Sequence, residues 1–423
     1  MAARTRTRTV RPPRKSKKRP VRRSRSERLP EASKPRLTES GLAPLPCALI
    51  GTKFMGRAHS NAFSQVAHFF DLPLEPVKHA VAGRNRSDLE AFARRWGWKS
   101  HTTRWRDLAD DPAVKLVDVA TPNDVHAEQA IAMLEAGKHV ACEKPLAGTL
   151  AEARAMRDAA RKARRSKTFV WFNYRRCPAV ALAHQLVREG RIGRIYHVRA
   201  TYLQSWGGPS TPLLWRFQKS TAGSGAHGDL NAHIIDMARF VTGEELTEIH
   251  GAVERTFIKQ RTIPGTRRKG KSTVDDAVLF LASLSGGGVA SFESTRLAAP
   301  HQNANSLEVN GEKGSLRFDF EDMNLLHFHD ASEGPRTGGW TRIMCTSAAG
   351  QHPYAGRWWP DAHVLGYEHG FVNMLADVVR VIGGKAPEVP LPDFQDAYQT
   401  QRVLEAALLS ARERCAIKLS QVK

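Results

Sequence analysis

Short apolar runs alternate with amphipathic helical stretches between residues 47 and 145, and no other feature constrains the fold as tightly. The run 47–50 is followed by a turn, Gly51 to Gly56, then by a helical pattern carrying Ala58, Ala62, Phe63 and Val66. A second strand is expected over 77–82, with Ser87 capping the helix after it, and a third over 114–120, interrupted by Lys115 and Asp118. Thr121-Pro122-Asn123-Asp124 ends that strand and opens a helix with Val125, Ala130, Ile131 and Leu134 on one face, stopped by Gly137. A fourth strand follows over 139–142. A helix over 149–165, with Thr149 and Glu152 as a capping box, closes this half. Alternation at this spacing predicts an α/β fold on a doubly wound parallel sheet.

Beyond residue 169 the pattern changes. Longer strands are expected over 195–203, 278–284, 289–294, 307–310 and 315–320, with Gly286-Gly287-Gly288 turning one hairpin. That succession predicts a mostly antiparallel sheet. Residues 259–272 read as an exposed loop and 330–360 as irregular, with helices over 371–382 and 398–412. A chain of 423 residues exceeds one compact core. The expected division is a basic tail over 1–45, a nucleotide-binding domain over 46–168 and a second domain over 169–423.

The formal charge of +22 is unevenly spread. Residues 1–46 hold 15 Lys/Arg against 3 acids, and the remainder 49 against 39. The tail has almost no large apolar residues and should be disordered. A nucleic-acid-binding arm is the sharp reading. A solvated tail, or a non-functional leader added by an upstream start codon, is favoured over it, because no aromatic residues interleave with the arginines. Arg22-Arg23 is followed by no apolar segment of the kind an export signal needs. No stretch approaches a membrane span. The five cysteines are odd in number and widely spaced, as suits reduced thiols in a cytoplasmic protein.

Three groups of residues in the first half carry chemistry. Gly51-Thr52-Lys53-Phe54-Met55-Gly56 keeps the outer glycines of a dinucleotide-binding turn but has Lys53 where a middle glycine lets the backbone approach a pyrophosphate. The second strand ends in Gly83-Arg84-Asn85-Arg86, with no carboxylate for a ribose 2′-hydroxyl. Arg84 there suits a 2′-phosphate, which leans the choice between NAD and NADP toward NADP; the bland reading is a surface arginine. Glu143-Lys144-Pro145 ends the fourth strand, where open α/β sheets bind ligands. The proline restricts Lys144 to extended angles and gives its peptide bond a real chance of being cis.

In the second half, Asp229, His233 and Asp236 fall on one face of a helix expected over 229–240. A carboxylate one turn from an imidazole can orient it for proton transfer. A structural pair is the bland reading. A metal site of His227, Asp229 and His233 is disfavoured, since it leaves Lys144 unexplained. His352-Pro353-Tyr354 and Trp358-Trp359-Pro360 suit a sugar pocket or a pinned loop equally well.

Together IGTKFMGRAHSNAF, DVATPNDVHAEQAIAMLEAGKHVACEKPLA, FNYRRCPA, WRF, GSGAHGDLNAHIIDMARFVTGEE and HPYAGRWWPDAHVLGYEH resemble the glucose–fructose oxidoreductase, inositol dehydrogenase and rhizopine catabolism (Gfo/Idh/MocA) oxidoreductases. The resemblance implies an N-terminal Rossmann domain, a C-terminal α+β domain with a large open sheet, and a homodimer or homotetramer. It implies that Lys144, Asp229 and His233 are catalytic. The cofactor would lie against Gly51, Lys53, Phe54, Met55, Gly56, Arg84, Thr121, Pro122, Asn123, His126, Glu143 and Lys144. The substrate would meet Arg175, Trp215, His227, Asp229 and His233. No metal is implied. The expected reaction is hydride transfer between NAD or NADP and a secondary alcohol of a sugar, sugar derivative or cyclitol. The alternatives are a glycosidase using NAD for transient oxidation, or a non-catalytic cofactor-sensing regulator.

Overall fold

The structure is a computed structural model. It describes Thr38 and residues 40–423, so most of the expected tail lies outside the described residues. The fold begins slightly earlier than 46, with strand β1 (Pro44–Ile50). Helix α1 (Phe54–Phe69), β2 (Glu75–Ala82), α2 (Arg86–Trp96), β3 (Ser100–Thr102), the short α3 (Asp107–Asp110), β4 (Leu116–Val119), α4 (His126–Glu135), β5 (His139–Cys142), α5 (Leu150–Lys162) and β6 (Thr168–Val170) follow. The six strands are parallel and lie in the order β3-β2-β1-β4-β5-β6. The order reverses between β1 and β4, and ligands bind outside the carboxyl ends of strands at such a switch point. Gly51, Thr121 and Lys144 leave β1, β4 and β5 at that end.

Two local expectations are corrected. Helix α2 is capped by Asn85, whose side chain accepts the Asp88 N–H at 3.1 Å. Ser87 instead donates to Asn85 Oδ1 at 2.9 Å. The helix begins one residue before Ser87, and Asn85 holds the extended angles a cap requires. The second correction concerns the sheet, which does not end with α5. That helix has the expected Thr149–Glu152 capping box, but β6 follows it and adds a sixth strand.

The second half contains α6 (Pro178–Arg188), β7 (Ile195–Leu203), a short α7 (Lys219–Ala222), α8 (Ala232–Thr242), β8 (Leu246–Arg255), β9 (Gln260–Thr262), β10 (Lys269–Lys271), β11 (Ala277–Leu284), β12 (Val289–Thr295), β13 (Ala304–Gly311), β14 (Gly314–Asp319), β15 (Leu325–Asp330), β16 (Thr341–Met344), α9 (Tyr367–Ile382), α10 (Phe394–Glu413) and β17 (Ile417–Lys418). Nine strands form one sheet in the order β16-β15-β14-β13-β7-β12-β11-β8-β17, antiparallel except between β7 and β12. The segment expected as a loop over 259–272 contains the β9–β10 hairpin. It is anchored by Arg261, buried against Asp276 at 3.2 Å and over the Phe217 ring. The loop between β16 and α9 is pinned through aromatics. Trp358 packs on Phe69 at the end of α1 with ring centres 4.2 Å apart, and donates to Asn373. Buried apolar side chains of both halves form one continuous core.

Candidate active site

The cofactor-side turn is built by backbone crowding. Gly51 has φ +115°, and a Cβ there would lie 2.4 Å from the Ala120 carbonyl oxygen. A Cβ on Gly56 would lie 2.2 Å from the Gly51 carbonyl oxygen. Only glycine lets the turn close this tightly on itself and on the segment after β4. Helix α1 then starts without a side-chain cap and without an acid in its first turn. Its free N–H groups and positive dipole end suit an anion such as a pyrophosphate. Lys53 is highly exposed at this end and pairs with Asp88 at 3.5 Å. Phe54 is half exposed and stacks on Tyr367; Met55 is half-buried beside it. Arg84 is exposed at the end of β2.

The other two loops at this crevice join the halves. Thr121 donates to Gln129 at 2.8 Å, and Pro122 leads into a short turn over Asn123–Val125. The Asn123 side chain donates to the Ala222 carbonyl at 2.9 Å, across to the second half. The Lys144–Pro145 bond is cis. The Lys144 ammonium donates to Asp229 twice, to Oδ1 and to the backbone carbonyl, each at 2.9 Å.

Asp229 lies in a wide π-type turn, His227–Asn231, that runs directly into α8. Such turns re-aim side chains and are frequent at functional sites. Here the turn presents both the Asp229 carboxylate and its carbonyl to Lys144. The second carboxylate oxygen accepts from Arg296 Nη2 at 2.8 Å. Burial opposes charge on Asp229, but Lys144, Arg296 and Arg216 outweigh it and hold the carboxyl well below its usual range. One anion thus bridges two cations. His233 follows on the same helix, nearly buried, with Tyr174 4.5 Å and Tyr202 5.9 Å away between ring centres. Burial and the Lys144 charge push its imidazole well below the ordinary histidine range. It is neutral at pH 7. Nδ1 is sealed without a partner, which leaves Nε2 as the nitrogen able to meet a ligand.

Residues 45–171 match the model of the oxidoreductase family with an NAD-binding Rossmann fold, and residues 180–317 match the GFO/IDH/MocA C-terminal domain. The chain belongs to the Gfo/Idh/MocA oxidoreductases. It is 41% identical over 395 residues to levoglucosan dehydrogenase of Pseudarthrobacter phenanthrenivorans, covering 89% of this chain and 99% of the relative. An oxidoreductase domain protein from Kribbella flavida superposes with a TM-score of 0.85 at 50% identity, over 89% of this chain and 99% of that one. A levoglucosan dehydrogenase complex with NADH and levoglucosan gives 0.84 at 41% identity over the same shares.

Several residues expected at the Gfo/Idh/MocA site are used elsewhere. His227 is fully buried; Nε2 meets the Leu404 carbonyl at 2.8 Å and Nδ1 meets the Asn231 side chain. It therefore braces the turn rather than meeting substrate, and the alternative metal set loses a ligand. Among the described residues no group of three or more His, Cys, Asp or Glu is placed to hold a metal. Arg175 is turned inward. It is buried, paired bidentately with Asp236 and bonded to Asp396 at 2.7 Å. Asp236 accordingly faces Arg175, not His233. His126 is buried, with its ring nitrogens at the Thr121 and Pro145 carbonyls, so it ties the loops after β4 and β5 together. Glu143 points inward to His59 and to the Lys144 N–H. Trp215 is half-buried under the Arg216 guanidinium, one residue before the carbonyl that Arg296 also uses.

Sequence reasoning missed the wall beside His233. From Arg296 a chain of contacts runs through Trp206, whose indole donates to Gln204, to Asn303, which accepts from Gln204 and from Tyr202. Tyr202 bonds Tyr174 at 2.7 Å, and Tyr174 returns to His233. These residues come from the carboxyl end of β7, the loop after β12 and the segment after β6, and no local motif joins them. His59 and Asp118, behind Lys144, were also missed. A carboxylate interrupting a buried strand was the available signal for Asp118.

Proposed function

We propose that this chain oxidises a secondary alcohol on a sugar, sugar derivative or cyclitol, with Lys144, Asp229 and His233 as the catalytic group. The observation that carries the reading is the convergence at Lys144: an ammonium from the nucleotide-binding half bonded to Asp229 of the other half, four residues before a neutral buried imidazole. A bound nicotinamide would supply the hydride acceptor. His233, neutral, takes the proton of the carbinol hydroxyl at Nε2. Lys144 lowers the energy of the oxyanion that develops as the proton leaves. Asp229 fixes the ammonium rather than the imidazole, and Arg296 fixes Asp229. The polar and aromatic wall from Trp206 to Tyr174 suits a pyranose, whose hydroxyls need hydrogen-bond partners and whose ring faces pack on aromatics. The relative that binds levoglucosan directs the first choice of substrate toward anhydro-sugars and hexoses.

The dinucleotide choice follows from the same crevice. NADH is the dinucleotide of the levoglucosan dehydrogenase complex, while exposed Arg84 leaves this chain able to meet a 2′-phosphate. We therefore expect NAD turnover with measurable NADP turnover. The open face of the second sheet exposes Val253, Leu279, Leu281 and Val289 on adjoining strands. An apolar stripe of that kind suits association of identical copies. The deciding experiment is a panel of levoglucosan, hexoses, glucosides and inositols with each dinucleotide, followed at the absorbance of the reduced nicotinamide. Reduction with at least one pyranose is the expected result. Substrate cleavage without net reduction would favour the glycosidase alternative instead.

A further inference from the structure

Behind Lys144 lies a buried polar cluster that the proposed chemistry does not use. His59 is fully buried on α1. Its Nδ1 is 2.7 Å from Asp118 Oδ2 in β4, and its Nε2 is 3.0 Å from Glu143 Oε1 just past β5. Asp118 Oδ1 accepts from the Trp171 indole at 2.8 Å. The Trp171 and Phe371 rings pack on the imidazole, with centres 4.2 and 5.5 Å away, and on each other at 5.9 Å. The remaining Glu143 oxygen accepts the Lys144 N–H at 3.0 Å. Helix α1, strand β4, the segments just past β5 and β6, and α9 of the second half therefore meet on one ring.

A neutral imidazole has a single N–H, yet both ring nitrogens face carboxylate oxygens. Two donors satisfy both contacts; one would leave a lone pair against an anion. Burial opposes a charged ring, but Asp118 and Glu143 outweigh it and raise His59 to about 9.

We propose that His59 is a positioning residue for catalysis: it clamps Glu143, which holds the Lys144 backbone and so sets the aim of the Lys144 ammonium toward Asp229 and the substrate. The inference rests on the reading that Lys144 acts on the substrate oxygen. His59 touches neither substrate nor cofactor; its influence passes through Glu143. A misplacement of a fraction of an ångström at Lys144 weakens the oxyanion contact without altering how the sugar or the dinucleotide binds.

The test combines kinetics with the protonation state of the wild-type ring. In folded full-length His59→Gln, kcat with levoglucosan, or the best sugar of the panel, falls about tenfold or more. The sugar KM and the NADH Kd stay within about twofold, and the deuterium isotope effect on kcat rises as the chemical step becomes limiting. Glu143→Gln gives a loss of similar size, and the double variant loses no more than the larger single one, because both changes break one path. An unchanged kcat in folded His59→Gln, or losses that multiply, would overturn the proposal. Nitrogen NMR on histidine-labelled wild-type protein, which needs no variant to fold, finds both His59 ring nitrogens protonated at pH 8; a neutral ring overturns it as well. Full activity in Lys144→Met would sink the catalytic reading instead, with the NMR result on His59 unaffected.

Discussion

Two histidines belong to the surroundings of Lys144, both buried, and their partners give them opposite charge states. His59, beneath the nucleotide-binding loops, faces two carboxylates and is raised to about 9. His233, in the wall of the second half, has no hydrogen-bonded carboxylate and stands near the Lys144 ammonium, which together with burial holds it low. Burial alone would discharge both. The partners decide the outcome: the floor keeps a proton, while the wall keeps a lone pair and can accept one.

The contrast can be broken first at the wall. His233→Asn removes the proton acceptor and should lower kcat by about a hundredfold or more, with the NADH Kd unchanged by fluorescence titration. A tenth of wild-type turnover or better would reassign the base. Asp229→Asn leaves Lys144 and Arg296 facing one another without their shared anion. Turnover should fall by about tenfold or more, and thermal melts should show lost stability.

The floor is sharpened by pH. His59 binds its proton more tightly folded, at about 9, than unfolded, at its ordinary 6.5. Its contribution is fully present below pH 6.5 and is lost as pH rises through 9. Wild-type Tm should therefore decline between those values, and His59→Gln should flatten that slope; parallel slopes would remove the charge from the ring. The smallest effect lies at the edge of the crevice. Arg84→Ala should raise the NADP KM by about tenfold and leave the NAD KM within about twofold. Equal changes would return Arg84 to the bland surface reading.

The parts legible in the sequence were those written in short local patterns. The parallel half followed from strand and helix periodicity, and Lys144 and Asp229 stood in distinct motifs before their contact was visible. Strand β8 was not legible. Its pairing with β11 skips Thr247 and His250, so its buried Leu246 and Ile249 fall three apart and mimic a helix rather than a strand. Residue function misled where a plausible site residue was needed for internal bonding, as at Arg175 and His227, since partners such as Asp396 and Leu404 lie far along the chain. Arg296 and Asn303 had no local signature, because their roles arise only when the loop after β12 folds over the end of β7. The π-type turn over His227–Asn231 was likewise invisible; the helix expected over 229–240 would have set Asp229 one turn from His233 instead of against Lys144.

The most direct test of the central claim is a single-turnover measurement of hydride transfer in Lys144→Met, at saturating dinucleotide and with a sugar that the wild type oxidises. The rate should lie at least about a hundredfold below wild type with the dinucleotide still bound. Transfer at the wild-type rate would contradict the claim.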